Sequence, residues 1–118
     1  VTTAQEVGRY GEQVARAWMV ERGWQVLASN WRCAEGEIDI VAADGGTLVI
    51  AEVKTRRSVS AGTPLEAVTP HKVWRLRRLA GVWLHSHHAR WRDVRIDVVA
   101  VRVGANGRTD VEHVRGIE

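Results

Sequence analysis

The chain has 118 residues, a net charge of +3 and 45% hydrophobic residues, enough for one ordinary core, so residues 1–118 are read as a single domain. The lone Cys33 excludes an intrachain disulfide and a cysteine-based zinc cluster. No apolar run approaches the ~18 residues of a membrane span, and no basic flank precedes an apolar stretch at the N-terminus, so no signal peptide is readable and the expected setting is cytoplasmic.

Thr3 and Glu6 have the spacing of a capping box, and Val7, Tyr10, Gly11, Val14, Ala17 and Trp18 recur at three and four. Residues 4–22 are therefore predicted to form an amphipathic helix that ends before Gly23. Glu12 lies off that stripe, on the side of Ala15 and Met19. A first strand is predicted over 24–30, with 30–35 as a connection.

Residues 36–54 then read as a β-hairpin. Its halves are β-branched and aliphatic, and Gly45-Gly46 suits a two-residue turn. With Thr47 opposite Asp44, counting outward sets Ile50 against Val41, Glu52 against Asp39 and Lys54 against Glu37. Alternation places Glu37, Asp39, Val41, Ile50, Glu52 and Lys54 on one face, and Ile38, Ile40, Val49, Ala51 and Val53 on an apolar one. Directly opposed like charges destabilise a strand pair, so Asp39 against Glu52 calls for a cation between them, from Lys54 and a hard divalent metal. The same residues also suit a solvated hairpin end with surface ion pairs worth ~0–1 kcal/mol.

Residues 55–69 lack a period and are predicted to be a mobile loop beside the hairpin, with a short helical turn at 65–68. Thr69-Pro70 is a cap and first-turn pair, after which Val73, Leu76, Ala80, Trp83, Leu84 and His87 form one stripe, with Arg75, Arg78 and His85 opposite and Lys72 and Arg77 flanking. Residues 93–103 read as a long central strand and 111–114 as an edge strand after the turn at Asn106-Gly107. Asp97 within it is assigned a structural role, paired with Arg95, Arg102 or a backbone donor. Of the six tryptophans, Trp18, Trp24, Trp74, Trp83 and Trp91 are assigned to the core, while Trp31, beside Arg32 before the hairpin, suits either an ordinary packing role or stacking on a base.

Charge is unevenly spread. Residues 53–92 hold nine of the seventeen Lys and Arg against the single acid Glu66, a net +8 by count, which leaves the remainder at −5. A basic half following an acidic hairpin end suits a polyanion, although a basic helix face can equally serve solubility alone.

Asp39 and, thirteen residues later, Glu52-Val53-Lys54 resemble the Asp...Glu-x-Lys signature of the PD-(D/E)XK nuclease superfamily. Gly8-Arg9-Tyr10-Gly11-Glu12, Gly23-Trp24, Asn30-Trp31-Arg32, Gly36-Glu37-Ile38-Asp39 and Glu52 to Arg56 are similar to the small bacterial YraN-like proteins, which are related to archaeal Holliday-junction resolvases. The similarity runs from about Gly8 to Val114, and Ile38 stands where the superfamily has its proline. The resemblance implies a restriction-endonuclease-like α/β fold with an αβββαβ core and a mixed central sheet flanked by helices. It also implies Mg²⁺- or Mn²⁺-dependent hydrolysis of DNA, with Asp39 and Glu52 as metal ligands, Glu12 as the further acid of the resolvase branch, and Lys54 orienting the attacking water. Arg56, Arg57, Lys72, Arg75 and Arg78 are the candidate phosphate contacts, and branched DNA and a homodimer are expectations taken from the resolvases. A non-catalytic nucleic-acid-binding domain and a protein-interaction module are the competing readings.

Overall fold

The computed structural model describes residues 3–57, 66 and 68–118. Residues 65 and 67 of the expected 65–68 turn, and 58–65 and 67 of the expected 55–69 loop, lie outside the described residues, while 55 and 56 belong to a strand. Elements follow in the order α1 (Ala4–Glu21), β1 (Gln25–Cys33), β2 (Gly36–Asp44), β3 (Thr47–Arg56), α2 (Pro70–Ser86), β4 (Asp93–Val103) and β5 (Thr109–Val114). The five strands form one sheet in sequential order. All neighbours are antiparallel except β3 and β4, which run parallel because α2 carries the chain back across one face. This is the mixed α/β architecture of the restriction-endonuclease-like core.

Both helix starts are built as the sequence predicts. Thr3 Oγ1 accepts from the Glu6 amide at 3.1 Å and Thr69 Oγ1 from the Lys72 amide at 3.1 Å, each satisfying an orphan first-turn donor. The β2–β3 register is as counted from Asp44↔Thr47 to Ile40↔Ala51, with positive φ at Gly45, but the ladder ends there and does not include the counted pairs Asp39 with Glu52 and Glu37 with Lys54.

Other expectations need correction. β1 does not stop at residue 30: Trp31↔Ile38, Arg32↔Glu37 and Cys33↔Gly36 continue the ladder. Asn30 adopts φ 50°, a left-handed value that Asn tolerates, and pairing resumes beyond it. The buried line of α1 is Gly11, Ala15 and Met19, whereas Tyr10 is exposed. Small residues decide this face, because a Cβ at Gly11 would overlap Thr55 Oγ1 and stand 2.7 Å from Thr55 Cβ. The helix therefore lies close on β3, and Glu12 is carried on its sheetward side. β4 is interior, but β3 is the middle strand.

The sheet separates two cores. Ala15, Met19 and Trp24 pack on Ile40, Ala42, Val49, Ala51, Val99 and Val101, while Val73, Leu76, Leu79, Ala80 and Trp83 of α2 cover Ile38, Val41, Leu48, Ile50, Ile96 and Val98. Ile38 thus packs on the α2 side, not with Ile40 as strict alternation predicts. Trp31 meets Trp83 edge-on at 5.4 Å and belongs to the rim of this second core, whereas Trp74 is 55% exposed.

Asp97 is wholly buried and fully answered: Arg95 Nε donates at 2.9 Å, Arg95 Nη2 at 3.1 Å and the Gly116 amide at 2.9 Å, while His113 Nε2 lies 2.7 Å away. Its structural role stands, and Arg95 is one of the partners expected from the sequence. His113, packed edge-on against Trp18 and Trp24, is the partner that the sequence did not reveal.

Because the α1–β3 approach leaves no room for a methyl group, Gly11→Ala is expected to destabilise the protein by about 1–3 kcal/mol, read as a lowered midpoint of urea unfolding.

Candidate active site

The site begins with an irregularity. In a regular strand Ile38 and Ile40 would share a face, yet they enter opposite cores, so β2 reverses its facing at Asp39. Across the ladder the pairs step from Ser29↔Ile40 to Trp31↔Ile38, passing over Asn30 and Asp39. The distortion puts both polar side chains to use. Asp39 Oδ2 accepts from the Val53 amide at 2.9 Å, and Asn30 Nδ2 donates to Glu12 Oε1 and to Glu37 Oε1, each at 3.0 Å.

Glu52 follows Ala51 on β3 and is only 5% exposed. Its Oε2 lies 3.3 Å from Lys54 Nζ and 3.6 Å from Lys72 Nζ on α2. Glu12, Asp39, Glu52, Lys54 and Arg57 line a single pocket of about 600 Å³, closed on one side by Val7 and Gly8 of α1. The four residues proposed from sequence for catalysis are therefore brought together by α1, β2 and β3.

Glu37 stands outside that lining, yet its charge reaches the site. Burial pushes the Asp39 carboxyl up to about 7, and the charges of Glu52, Glu12 and Glu37 push the same way, against the opposing pull of the Val53 hydrogen bond. A buried carboxyl that also has three acids around it marks a place where a cation would be welcome. Asn30 and Glu37 were not assigned roles from sequence. The signal for Asn30 was available, since an Asn inside a β-rich stretch is a residue that accepts positive φ.

Among the described residues, no three His, Cys, Asp or Glu side chains form a ready-made metal ligand set. Mg²⁺ requires less, since it commonly takes one or two carboxylates, several waters and a substrate phosphate. The hard oxygen donors of Asp39 and Glu52 and the excess negative charge around Asp39 fit that demand.

The candidate phosphate contacts divide. Arg57 lines the carboxylate pocket, Lys72 reaches Glu52, and Arg56 ends β3 beside Arg57. Arg75 and Arg78 turn instead to the β1–β2 turn. Arg75 Nη2 donates to the Glu35 carbonyl at 2.8 Å, and Arg78 donates to Glu35 Oε1 at 3.0 Å from Nε and 2.6 Å from Nη2. These two border a second cavity that shares no wall residue with the first.

The model of UPF0102, an uncharacterised protein family, matches residues 11–101, a span that holds Glu12, Asp39, Glu52 and Lys54. The chain belongs to this family. A UPF0102 protein of Kineococcus radiotolerans is 59% identical over 112 residues, covering 94% of this chain and 92% of its own. Another, from Beutenbergia cavernae, is 55% identical over 111 residues and 94% of each chain. A third, from Mycolicibacterium vanbaalenii, is 51% identical over 95% of this chain and 93% of its own. The UPF0102 family is part of the restriction-endonuclease-like superfamily.

Asp39 binds its proton more tightly in the folded protein than in the unfolded chain, where a carboxyl titrates near ~3.9. Metal-free protein should therefore lose stability as pH rises from about 4 to about 7 and level off above. Asp39→Asn should lack this slope and exceed wild type near pH 8 by roughly 2–4 kcal/mol, measured by urea unfolding in chelator across that range.

Proposed function

We propose that this chain is a divalent-metal-dependent nuclease that hydrolyses DNA phosphodiester bonds. The observation that supports this reading best is the convergence of Glu12, Asp39, Glu52 and Lys54 on one pocket, where burial and then the charges of Glu52 and Glu12 push Asp39 up to about 7. In this reading Asp39 and Glu52 hold Mg²⁺ or Mn²⁺ and Glu12 completes the acidic set. A bound ion would lower the pKa of water and stabilise the charge that grows on the phosphate during attack.

The chain's own side chains do the rest. Lys54, 3.3 Å from Glu52, positions the attacking water and balances the carboxylate. Arg56, Arg57 and Lys72 neutralise phosphates near the pocket, and Arg75 and Arg78 do so farther along α2. Asn30 holds Glu12 and Glu37 through one amide nitrogen, which limits their spread. Val53 fixes Asp39 by its amide hydrogen, leaving the second carboxylate oxygen for the ion.

Branched DNA and a homodimer that matches its two-fold symmetry belong to the same proposal, as does a cytoplasmic setting, which suits the free thiol of Cys33. No helix among the described residues is long and apolar enough to cross a membrane. One observation favours a second reading, a nucleic-acid-binding domain without turnover: Glu52 Oε2 already has two lysine partners, which compete with a metal for it.

Wild-type protein with Mn²⁺ should cleave one or more of junction, flap, single-stranded and duplex DNA, and Asp39→Ala and Glu52→Ala should each lower the rate by at least about 100-fold. Calorimetry should show metal binding that depends on both acids. Absence of both cleavage and acid-dependent metal binding, with salt-sensitive DNA affinity retained, would establish the second reading instead.

A further inference from the structure

The second cavity, of about 370 Å³, is lined by Glu35, His71, Trp74, Arg75 and Arg78. Its four helical members are spaced three and four apart, so they form one side of α2. Trp74 is the feature that packing leaves unexplained. The apolar seam of the helix is Val73, Leu76, Leu79, Ala80 and Trp83, all buried, whereas Trp74 projects from the cationic side with 55% of its surface open. Its ring is nonetheless ordered by neighbours: His71 stacks on it with centroids 5.9 Å apart at 23°, and the Arg78 guanidinium carbon lies 5.3 Å from the ring centroid.

An exposed indole framed by an imidazole and two guanidinium groups is a chemical match for a planar, electron-rich ring attached to an anion. Nucleotides have that combination: the base stacks, and the flanking phosphates meet arginine. Charge selects the same occupant, since α2 carries Lys72, Arg75, Arg77 and Arg78 and no acid, and Glu35 is the one acid in the cavity lining. A Watson–Crick duplex keeps its base faces stacked on one another, so only an unpaired base can use this ring.

We infer that the Trp74 cavity is a stacking site for an unpaired nucleobase, so that the preferred substrate carries a single-stranded segment. Lys72, whose ammonium reaches Glu52, is two residues from Trp74, about 3 Å along the helix axis but roughly 200° around it, so the base site and the carboxylate pocket lie on different sides of α2. A strand seated on Trp74 has to pass round the start of the helix to reach Asp39 and Glu52. The link to cleavage rests on the nuclease reading above, while base binding itself does not.

The test is fluorescence anisotropy in chelator, with a labelled oligothymidylate and a blunt duplex of equal length, on wild type, Trp74→Ala and Trp74→Phe. Trp74→Ala should weaken oligothymidylate binding by roughly 5- to 100-fold, the range of one lost base stack, while duplex affinity changes by no more than about twofold because phosphate contacts survive. Trp74→Phe, which keeps an aromatic face, should recover most of the loss. Unchanged oligothymidylate binding in Trp74→Ala, an equal loss on duplex, or no oligothymidylate binding by wild type would each overturn the inference. Chelator keeps the two proposals separable. Trp74-dependent binding without any cleavage on adding Mn²⁺ defeats the nuclease reading alone, and cleavage with Trp74-independent binding defeats this one alone.

Discussion

Negative charge is crowded around Asp39, and several elements are tied together in answering it. The carboxyl is largely buried and has Glu52, Glu12 and Glu37 as neighbours. Each of those acids is in turn engaged by a group from elsewhere in the fold: Asn30 on β1 takes Glu12 and Glu37, Arg32 lies 3.5 Å from Glu37, and Lys54 on β3 and Lys72 on α2 take Glu52. The open end of the hairpin is thus the junction of α1, α2 and the first three strands. Asp39 itself receives a backbone hydrogen bond and, among the described residues, forms no ion pair.

Asp97 shows what the same residue type looks like when it serves the fold. It is more deeply buried than Asp39, but its carboxylate is surrounded by Arg95, His113 and the Gly116 amide. Burial of a charge is tolerable when donors satisfy it, and removing one partner of such a set is strongly destabilising. The neighbours of Asp39 are mostly other acids. The contrast between a compensated acid and an uncompensated one, within one sheet, is the reason for assigning structure to the first and chemistry to the second.

α2 joins the two candidate surfaces. One side of the helix closes the core, the start of the helix sends Lys72 to Glu52, and the adjoining side presents Trp74 with its basic frame. The basic segment noted in the sequence is therefore not one uniform patch. Arg57 and Lys72 serve the carboxylate pocket, while Arg75 and Arg78 are anchored on Glu35, more than 40 residues away by sequence for Arg78 and 40 for Arg75.

The sequence by itself determined the order of the elements, both threonine caps, the β2–β3 register as far as Ile40 and Ala51, and the nearness of Asp39, Glu52 and Lys54 at the open end of the hairpin. These depend on local spacing, on a glycine turn and on the period of two in a strand, all of which are written within a few residues. The tertiary structure alone decided the rest. Period counting could not reveal that β2 reverses its facing at Asp39, because it assumes a regular strand, and the ladder is interrupted there opposite Asn30, whose φ is 50°. Hydropathy placed Gly11 on the stripe but could not choose Ala15 and Met19 over Tyr10, Val14 and Trp18 as its companions, because the buried line of α1 is set by the close approach of Gly11 to Thr55 on β3. Nor could it turn Trp74 outward and Trp31 inward, since a tryptophan is apolar in either place and its fate depends on which neighbours the folded sheet supplies.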